Sequence, residues 1–216
     1  MSETHGFIRA RSPENRELRK QSILDAAGRL LGGAQVADLT LREIGAEAGI
    51  ATSNVLRYFE NREAVLLELF NREYTSWLDA LPGELGEGTT ARGFSDAYAA
   101  SLAARPVLCE LASVLASVLE RTVSVETVRT YKRGALANND RLARTIHNRL
   151  PALAPSAAHE LASTTIVSIA GIWPLAHPGP AVLAATEDPD LLAAHVDFPA
   201  RFSRMFELLA TALLMR

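Results

Sequence analysis

The sequence contains few of the residues that build metal centres and covalent cross-links. Its 216 residues include one cysteine, Cys109, and five histidines that are scattered along the chain. A single thiol excludes an intrachain disulfide and a multi-cysteine zinc site. Common enzyme motifs are also missing, since there is no HExxH, no GxSxG, no phosphate-binding loop with its lysine and no glycine-rich dinucleotide turn. We therefore expect no catalytic residue, no metal site and no cofactor.

Long apolar runs and a strong excess of one charge are absent as well. The chain has 22 Lys and Arg against 25 Asp and Glu, a formal net charge of -3, which does not indicate a nucleic-acid-binding protein. An uncharged stretch at residues 161–176 is shorter than the roughly 20 residues of a membrane-spanning helix. The first twenty residues carry five basic side chains but no apolar segment typical of a secretory signal. These features predict a cytoplasmic globular protein without a membrane partner.

Signals that begin and end helices are present along the whole chain. Thr40 and Glu43 have the spacing of a capping box, and Ser12 precedes a proline that suits the first turn of a helix. No segment alternates in the manner of a strand. The pattern predicts an all-α fold, with a short helix at Ser53–Phe59 and an almost uncharged one at Pro106–Leu119. Helices are expected to follow caps at Ser12, Thr40, Asn61, Ser124 and Ser156 and to stop at Gly32, Gly49, Pro82, Pro151 and Pro174.

Residues 40–63 have the spacing of a helix-turn-helix. Gly45 supplies the small residue at the helix crossing and Gly49 supplies the turn. Apolar side chains complete the inner faces at Ile44, Ala48, Ile50 and Val55. This spacing alone fits a plain helical hairpin equally well. The second helix, however, opens with small hydrogen-bonding residues at positions 52–54, where a recognition helix contacts base edges.

A characteristic run follows the turn, because Arg57 and Arg62 flank an aromatic pair. The run reads Tyr58, Phe59, Glu60, Asn61, Arg62, Glu63. Together with the turn, it makes residues 12–70 resemble the DNA-binding domain of the TetR (tetracycline repressor) family. The resemblance implies a three-helix helix-turn-helix DNA-binding domain at residues 1–62, with a basic N-terminal arm from Arg9 to Lys20. It also implies a helical-bundle ligand-binding and dimerisation domain at residues 63–216.

The resemblance further implies a set of residues that face DNA. These are Thr40, Thr52, Ser53, Asn54, Arg57, Tyr58 and Arg62. Within the set, Asn54 has the groups to pair with adenine and Arg57 those to pair with guanine. Thr40 and Arg62, which lie at predicted helix N-termini, are expected to hold phosphates. Tyr58 could contact DNA or pack in the interior.

Two positions in this region depart from the family pattern. Ser53 stands where a glycine is usual, and Leu56 stands where a tyrosine usually contacts a phosphate. Leu56 therefore either removes one backbone contact or replaces it by a contact with a thymine methyl group. The customary lysine at the start of the fourth helix is Arg62, which keeps the charge.

A ligand pocket is expected in the second domain. Its candidate lining residues are mostly apolar with a single charge, as in many small-molecule sites: Trp77, Tyr98, Cys109, Glu110, Val114, Tyr131 and Trp173. Each of them could equally be ordinary core. Glu110 either recognises a cationic or hydrogen-bonding ligand or pairs with a nearby arginine, and we favour the arginine. Cys109 is expected to be an inert buried thiol.

Dimerisation is expected through the helix that contains the uncharged stretch at residues 161–176 and through a terminal helix at residues 198–213, because both have broad apolar faces. The candidate interface residues are Ala162, Thr165, Ile166, Ile169, Phe202, Met205, Phe206, Leu209 and Leu213. A larger monomeric core would use the same residues.

The function implied by the resemblance is that of a homodimeric repressor, released from a palindromic double-stranded DNA operator by a small-molecule effector. Activators also exist in the family. A helical protein-interaction module and a helical enzyme with a similar motif are the alternatives. Residues 1–62 hold 9 basic and 8 acidic side chains, and residues 63–216 hold 13 and 17. DNA binding is therefore expected to depend on a few placed arginines and on dimer avidity.

Overall fold

The computed structural model describes residues 13–86, 90–115 and 122–215, and within these ranges it contains ten α-helices and no strand. The helices are α1 (Pro13–Leu31), α2 (Leu41–Glu47), α3 (Thr52–Val55), α4 (Arg62–Glu84), α5 (Ala91–Ala103), α6 (Pro106–Val114), α7 (Val125–Arg149), α8 (Pro155–Ala176), α9 (Pro180–Ala185) and α10 (Phe198–Leu214). Short 3-10 helices lie at Val36–Asp38 and Pro189–Ala194. The expected all-α fold is confirmed. The cap expected at Ser12 and the end of the helix expected at Pro106–Leu119 lie outside the described residues.

Side-chain caps begin three of the helices where the sequence predicts them. Thr40 Oγ1 accepts a hydrogen bond from the Glu43 amide at 3.2 Å, and the Glu43 carboxylate accepts one from the Thr40 amide at 2.8 Å. Asn61 and Ser124 each accept a bond from the amide three residues further along, at 2.9 and 3.2 Å. These bonds satisfy amides that have no partner within the helix, and they fix the starts of α2, α4 and α7.

Two predicted helix ends are wrong. α8 begins at Pro155, and its N-cap is Ala154 without a side-chain bond, so Ser156 lies inside the first turn. Proline suits this position because its fixed φ angle is already helical. α4 does not stop at Pro82 but continues to Glu84. Pro82 removes a single backbone donor near the helix end, whereas burial of Leu81 and Leu85 keeps the last turn in place.

The long helix α4 connects the two parts of the core. It packs against α1 of the N-terminal part and against α5, α6 and α7 of the second part. In the N-terminal part, α1, α2 and the segment around α3 bury Ile23, Ile44, Val55 and Phe59 against it. A movement of α4 would therefore reach both parts of the molecule.

An aromatic cluster fills the second part of the core. The Tyr98 ring lies 5.6 Å from the Trp77 ring and 4.9 Å from the Phe206 ring, measured between centroids. The polar atoms of the cluster have partners inside it, since the Trp77 indole donates to Ser101 at 3.0 Å and the Tyr98 hydroxyl lies 2.8 Å from the Thr165 hydroxyl. Burial raises the pKa of Tyr98 well above its usual value. These partners fix one arrangement of the rings between α4, α5, α8 and α10.

No helix among the described residues combines the length and the hydropathy that crossing a membrane would require.

Candidate DNA-binding surface

The two helices α2 and α3 cross closely at a pair of glycines. A side-chain carbon on Gly45 would lie 2.9 Å from the carbonyl oxygen of Ile50, which is closer than such contacts allow. Gly49 has a φ angle of +68°, in the left-handed region that favours glycine. The amide of Ile50 donates to the carbonyl of Gly45 at 2.9 Å and closes the turn. The helix-turn-helix spacing in the sequence thus corresponds to a tight helix pair.

The second helix of this pair is shorter than predicted. α3 covers Thr52–Val55, and the chain continues to Phe59 as turns in which the Tyr58 amide donates to the Val55 carbonyl at 2.9 Å. Val55 and Phe59 are buried and attach this segment to the core of the N-terminal domain. The polar side chains of Ser53 and Asn54 before the first anchor, and of Arg57 between the two, are exposed on the side away from that core.

The outward face of this segment presents hydrogen-bonding groups to solvent. Ser53, Asn54 and Arg57 are exposed, and within the described residues their side chains have no hydrogen bond or ion pair. Leu56 lies on the same face with half of its surface exposed. An amide, a guanidinium and a hydroxyl next to an exposed apolar side chain are the groups that read base edges in a major groove.

Arginines from α1 extend this face. Arg16, Arg19 and Arg57 line one surface depression together with Tyr58, and none of the described residues that line it carries a carboxylate. The Arg16 guanidinium lies 5.4 Å from the centroid of the half-buried Tyr58 ring and donates a long bond of 3.5 Å to the Arg57 carbonyl. The expected basic arm is helical from Pro13 onward, because α1 begins there. Its residues Arg16 and Arg19 lie beside the segment that contains α3.

Thr40 and Arg62 are held by partners inside the protein. The Thr40 hydroxyl donates to Glu43 at 2.7 Å, and these hydrogen bonds hold the pKa of the Glu43 carboxyl below its usual value. Arg62 donates to the Leu39 carbonyl at 2.8 Å and pairs with Glu63 at 2.8 Å. Both side chains thus fix the segment around α2. The capping box indicated this role for Thr40, whereas the bond from Arg62 to the distant Leu39 carbonyl had no local signal in the sequence.

Glu110 on α6 connects the two parts of the molecule. One carboxylate oxygen accepts a hydrogen bond from the Val36 amide, and the other accepts one from the Trp173 indole, both at 3.2 Å. The expected pairing with an arginine is wrong, because these neutral donors occupy the carboxylate. Val36 lies 74 positions away in the sequence, so no local pattern could have indicated this contact.

The residues expected to line a ligand pocket are mostly packed in the core. Trp77, Tyr98 and Cys109 have no exposed surface, and Trp173 is almost fully buried. The Cys109 thiol lies 3.4 Å from the Leu102 carbonyl, and burial raises its pKa far above the usual value, which favours the neutral thiol. Tyr131 lines a cleft between α7 and the N-terminal helices. Val114 and Glu110 are half-buried on α6.

The structure separates the expected dimer residues into two groups. Five of them are buried within the protomer and cannot offer a surface in this conformation: Ala162, Thr165, Ile169, Phe202 and Phe206. Ile166, Met205, Leu209 and Leu213 are partly buried at the edge of the core. The sequence periodicity marked the face that packs inside the protomer. The opposite face of α8 carries Val167 and Leu175, which are 73% and 63% exposed.

Known protein families and structures match both parts of the chain. Residues 23–69 match the family model described as bacterial regulatory proteins, tetR family, and residues 71–216 match that of the tetracyclin repressor-like C-terminal domain. A comparison with curated proteins gave no match.

Several solved structures share the fold. The fatty acid degradation regulator FadR from Bacillus halodurans is 16% identical with a TM-score of 0.51, and the match covers 91% of this chain and 94% of FadR. A transcriptional regulator from Rhodococcus sp. Rha1 is 15% identical with a TM-score of 0.53, covering 93% of this chain and 96% of the regulator. FadR from Bacillus subtilis, solved in complex with stearoyl-CoA, is 16% identical with a TM-score of 0.50, covering 88% and 96%.

The two family models together cover nearly all of the described helices, and they meet inside α4. Neither describes an enzyme. The helix-turn-helix and its exposed polar face lie within the range that the tetR family model matches, and most of the second part lies within the range of the C-terminal model. The chain therefore belongs to the TetR family and is a DNA-binding transcription regulator.

Proposed function

We propose that this regulator is a homodimeric repressor that acts in the cytoplasm and leaves a palindromic operator when a small molecule binds its helical domain. The observation that carries the proposal is the exposed row of Ser53, Asn54 and Arg57 beside Arg16 and Arg19. Residues 1–62 act as the DNA-binding domain and residues 63–216 as the regulatory domain, with α4 starting at the boundary.

On DNA, the residues of this surface have different roles. Asn54 and Arg57 contact base edges in the major groove, with Ser53 and Thr52 adding hydroxyl contacts, whereas Arg16 and Arg19 hold phosphates. Leu56 is placed to touch a thymine methyl group. Tyr58 supports Arg16 through its ring, and Thr40 and Arg62 keep the domain in shape through the bonds described above.

The dimer forms through the outer faces of α8 and α10, which pack side by side in the protomer. On α8, small and apolar residues recur every four positions on the exposed side: Ser163, Val167, Gly171 and Leu175. Leu208 on α10 is 52% exposed, and Met215, which follows the end of α10, is 83% exposed. Small residues allow two helices to approach closely, and the apolar ones gain from removal of water, so a second copy of the same face fits this surface.

Release from DNA requires that the effector bind one conformation of the dimer better than the other. Two dimer states then differ in the spacing of their α3 segments, and the DNA-competent state holds them about one turn of DNA, roughly 34 Å, apart. α4 and the Glu110 contacts join the regulatory domain to the DNA-binding domain. A similar fold in Bacillus subtilis FadR was solved in complex with stearoyl-CoA, which supports a small-molecule effector as a class.

The proposal is tested by in vitro selection of duplexes with the purified full-length chain. We expect enrichment of a palindromic sequence, which is then placed before a reporter gene in a heterologous host. Lower reporter expression when the protein is present would support repression. Enrichment of no sequence would contradict operator binding, and higher expression would contradict the repressor role.

Replacement of Glu110 by alanine is expected to loosen the contact between the two domains without unfolding the chain. A hydrogen bond of this kind contributes about 1 kcal/mol net, so the Val36 amide should exchange with solvent about fivefold faster. Hydrogen exchange read by mass spectrometry over residues 34–40 measures this. Glu47→Ala is the control, because Glu47 pairs with Arg29 at 2.7 Å and does not contact Val36. Equal exchange in Glu110→Ala and the wild type would contradict the contact.

A further inference from the structure

A cleft of about 370 Å³ lies where the DNA-binding domain meets the regulatory domain. We refer to it as the junction cleft. One wall comes from α1, the turn after α3 and the first half of α4, and the other wall comes from the first half of α7. Its chemically distinctive lining residues are Lys20, Phe59, Glu60, Glu68, Glu126 and Tyr131. The volume suits a small molecule, and the position differs from that of the buried aromatic cluster.

Acidic side chains outnumber basic ones in the junction cleft. Three glutamates line it against the single ammonium of Lys20, which gives the lining a formal charge of -2. Hydrogen bonds from Ser124 and Thr127 lower the pKa of Glu60, which is therefore ionised at neutral pH. Glu126 is exposed and lies 3.7 Å from Arg129, and Arg129 itself does not line the cleft. The lining itself thus carries more negative than positive charge.

A cation of the protein already occupies this environment. The Lys20 ammonium pairs with Glu68 and lies 5.5 Å from the centroid of the Phe59 ring, and only 22% of the Lys20 side chain is exposed. A carboxylate and an aromatic face next to the same ammonium are two groups that bind organic cations effectively.

Like Phe59, the two tyrosine rings that line the cleft each lie near a cationic side chain of the protein. The Tyr58 ring lies 5.4 Å from the Arg16 guanidinium, and the Tyr131 ring lies 5.3 Å from the Lys132 ammonium. Apolar surface for a hydrophobic tail is provided by Ala64 and Leu67. The cleft thus combines negative charge, ring faces and an apolar wall.

We propose that the junction cleft binds an amphipathic organic cation, with an ammonium group that takes the place of Lys20 between Glu68 and Phe59. The apolar part of the ligand lies on the wall formed by Ala64 and Leu67, towards Tyr131. The ligand competes with Lys20, so its affinity depends on how firmly Lys20 holds Glu68.

Binding here would act on the contacts between the two domains, a consequence that rests on the proposed function. Beside the cleft, the Ser124 amide donates to Glu60 at 2.8 Å and the Asn61 side chain donates to the Thr122 carbonyl at 2.8 Å. Lys20 lies one helical turn from Arg16, which borders the DNA-binding surface. Displacement of Lys20 removes its pair with Glu68 and leaves the Arg72–Asp25 pair, at 2.7 Å, as the remaining ion pair between α1 and α4 among the described residues.

The test uses three probes with the same apolar part and different head groups: phenylbutylamine, phenylbutanol and phenylbutyrate. Isothermal titration calorimetry of the full-length protein at pH 7 and low salt gives each affinity without DNA. We expect the amine to bind most tightly and the carboxylate to bind most weakly. Lys20→Met should raise the affinity for the amine about fivefold, because the competing ammonium is gone, and Glu68→Gln should lower it about fivefold.

Asp79→Asn is the matched control. Asp79 on α4 pairs with Arg141 on α7 at 2.5 Å, and these two helices also form walls of the junction cleft. Asp79 itself does not line the cleft, so the affinity for the amine should not change. A gain of affinity in Lys20→Met cannot result from misfolding.

Three results would overturn the cleft assignment: equal affinities for amine and alcohol, tighter binding of the carboxylate, or an unchanged amine affinity in both Lys20→Met and Glu68→Gln. Operator titrations are done separately on the same preparation. Operator binding without a preference for the amine refutes the cleft alone, and a preference for the amine without operator binding refutes the proposed function alone.

Discussion

Replacing Arg57 by alanine is expected to weaken operator binding strongly while helicity and molar mass stay unchanged. Arg57 is exposed, and within the described residues its side chain has no partner, so its removal leaves no buried group unsatisfied. A bidentate contact with a base contributes about 1–3 kcal/mol, and a dimer makes it twice. The affinity should therefore fall by roughly 30-fold to more than 1,000-fold. Fluorescence anisotropy with a selected operator at fixed salt measures the loss.

The control for this substitution is Arg129→Ala. Arg129 is 64% exposed on α7 and pairs only with Glu126 at 3.7 Å among the described residues, so its loss removes the same charge without touching the DNA-binding surface. A fall of similar size in both variants would indicate a general effect of charge. Unchanged affinity in Arg57→Ala would remove this residue from the DNA-binding set.

Val167→Glu is expected to convert the dimer into a monomer and thereby to weaken operator binding by about 100-fold or more, because avidity is lost. Val167 is 73% exposed on the outer face of α8, so the glutamate is accommodated in the isolated protomer. In the dimer the carboxylate would be buried against an apolar face without a partner, which is costly. Light scattering gives the molar mass, and anisotropy gives the operator affinity.

Leu136→Glu provides a comparison on another surface. Leu136 is 69% exposed on α7, on a helix that does not belong to the proposed interface, so the same change of polarity should leave both the mass and the operator affinity as they are. If Val167→Glu remained dimeric at micromolar concentration, the outer face of α8 would not be the interface.

Local sequence patterns predicted the helix starts and turns that depend on contacts between residues close together in the chain. The capping box of Thr40 and Glu43 and the caps at Asn61 and Ser124 begin helices in the structure, because these bonds join residues within one turn. Gly45 and Gly49 indicated the helix pair for the same reason. The end of α4 was not predictable, since burial of Leu81 and Leu85 outweighs the effect of Pro82.

Contacts between distant segments could not be read from the sequence. The apolar periodicity of α8 and α10 identified Ile169 and Phe202, but periodicity does not tell whether an apolar face packs inside the protomer or against a second copy. The aromatic residues predicted to line a pocket, such as Trp77 and Tyr98, instead fill the core. The partners of Glu110 and the walls of the junction cleft come from helices far apart in the chain.

The most direct test of the central claim, that two copies of this chain together read one palindromic operator, is the mass of the protein–DNA complex by light scattering. The full-length chain of 23.3 kDa is mixed with the selected duplex and, in parallel, with a duplex in which one half-site is scrambled. We expect two protomers on the intact duplex and a large loss of complex on the scrambled one. A single protomer bound to each duplex with equal affinity would contradict the claim.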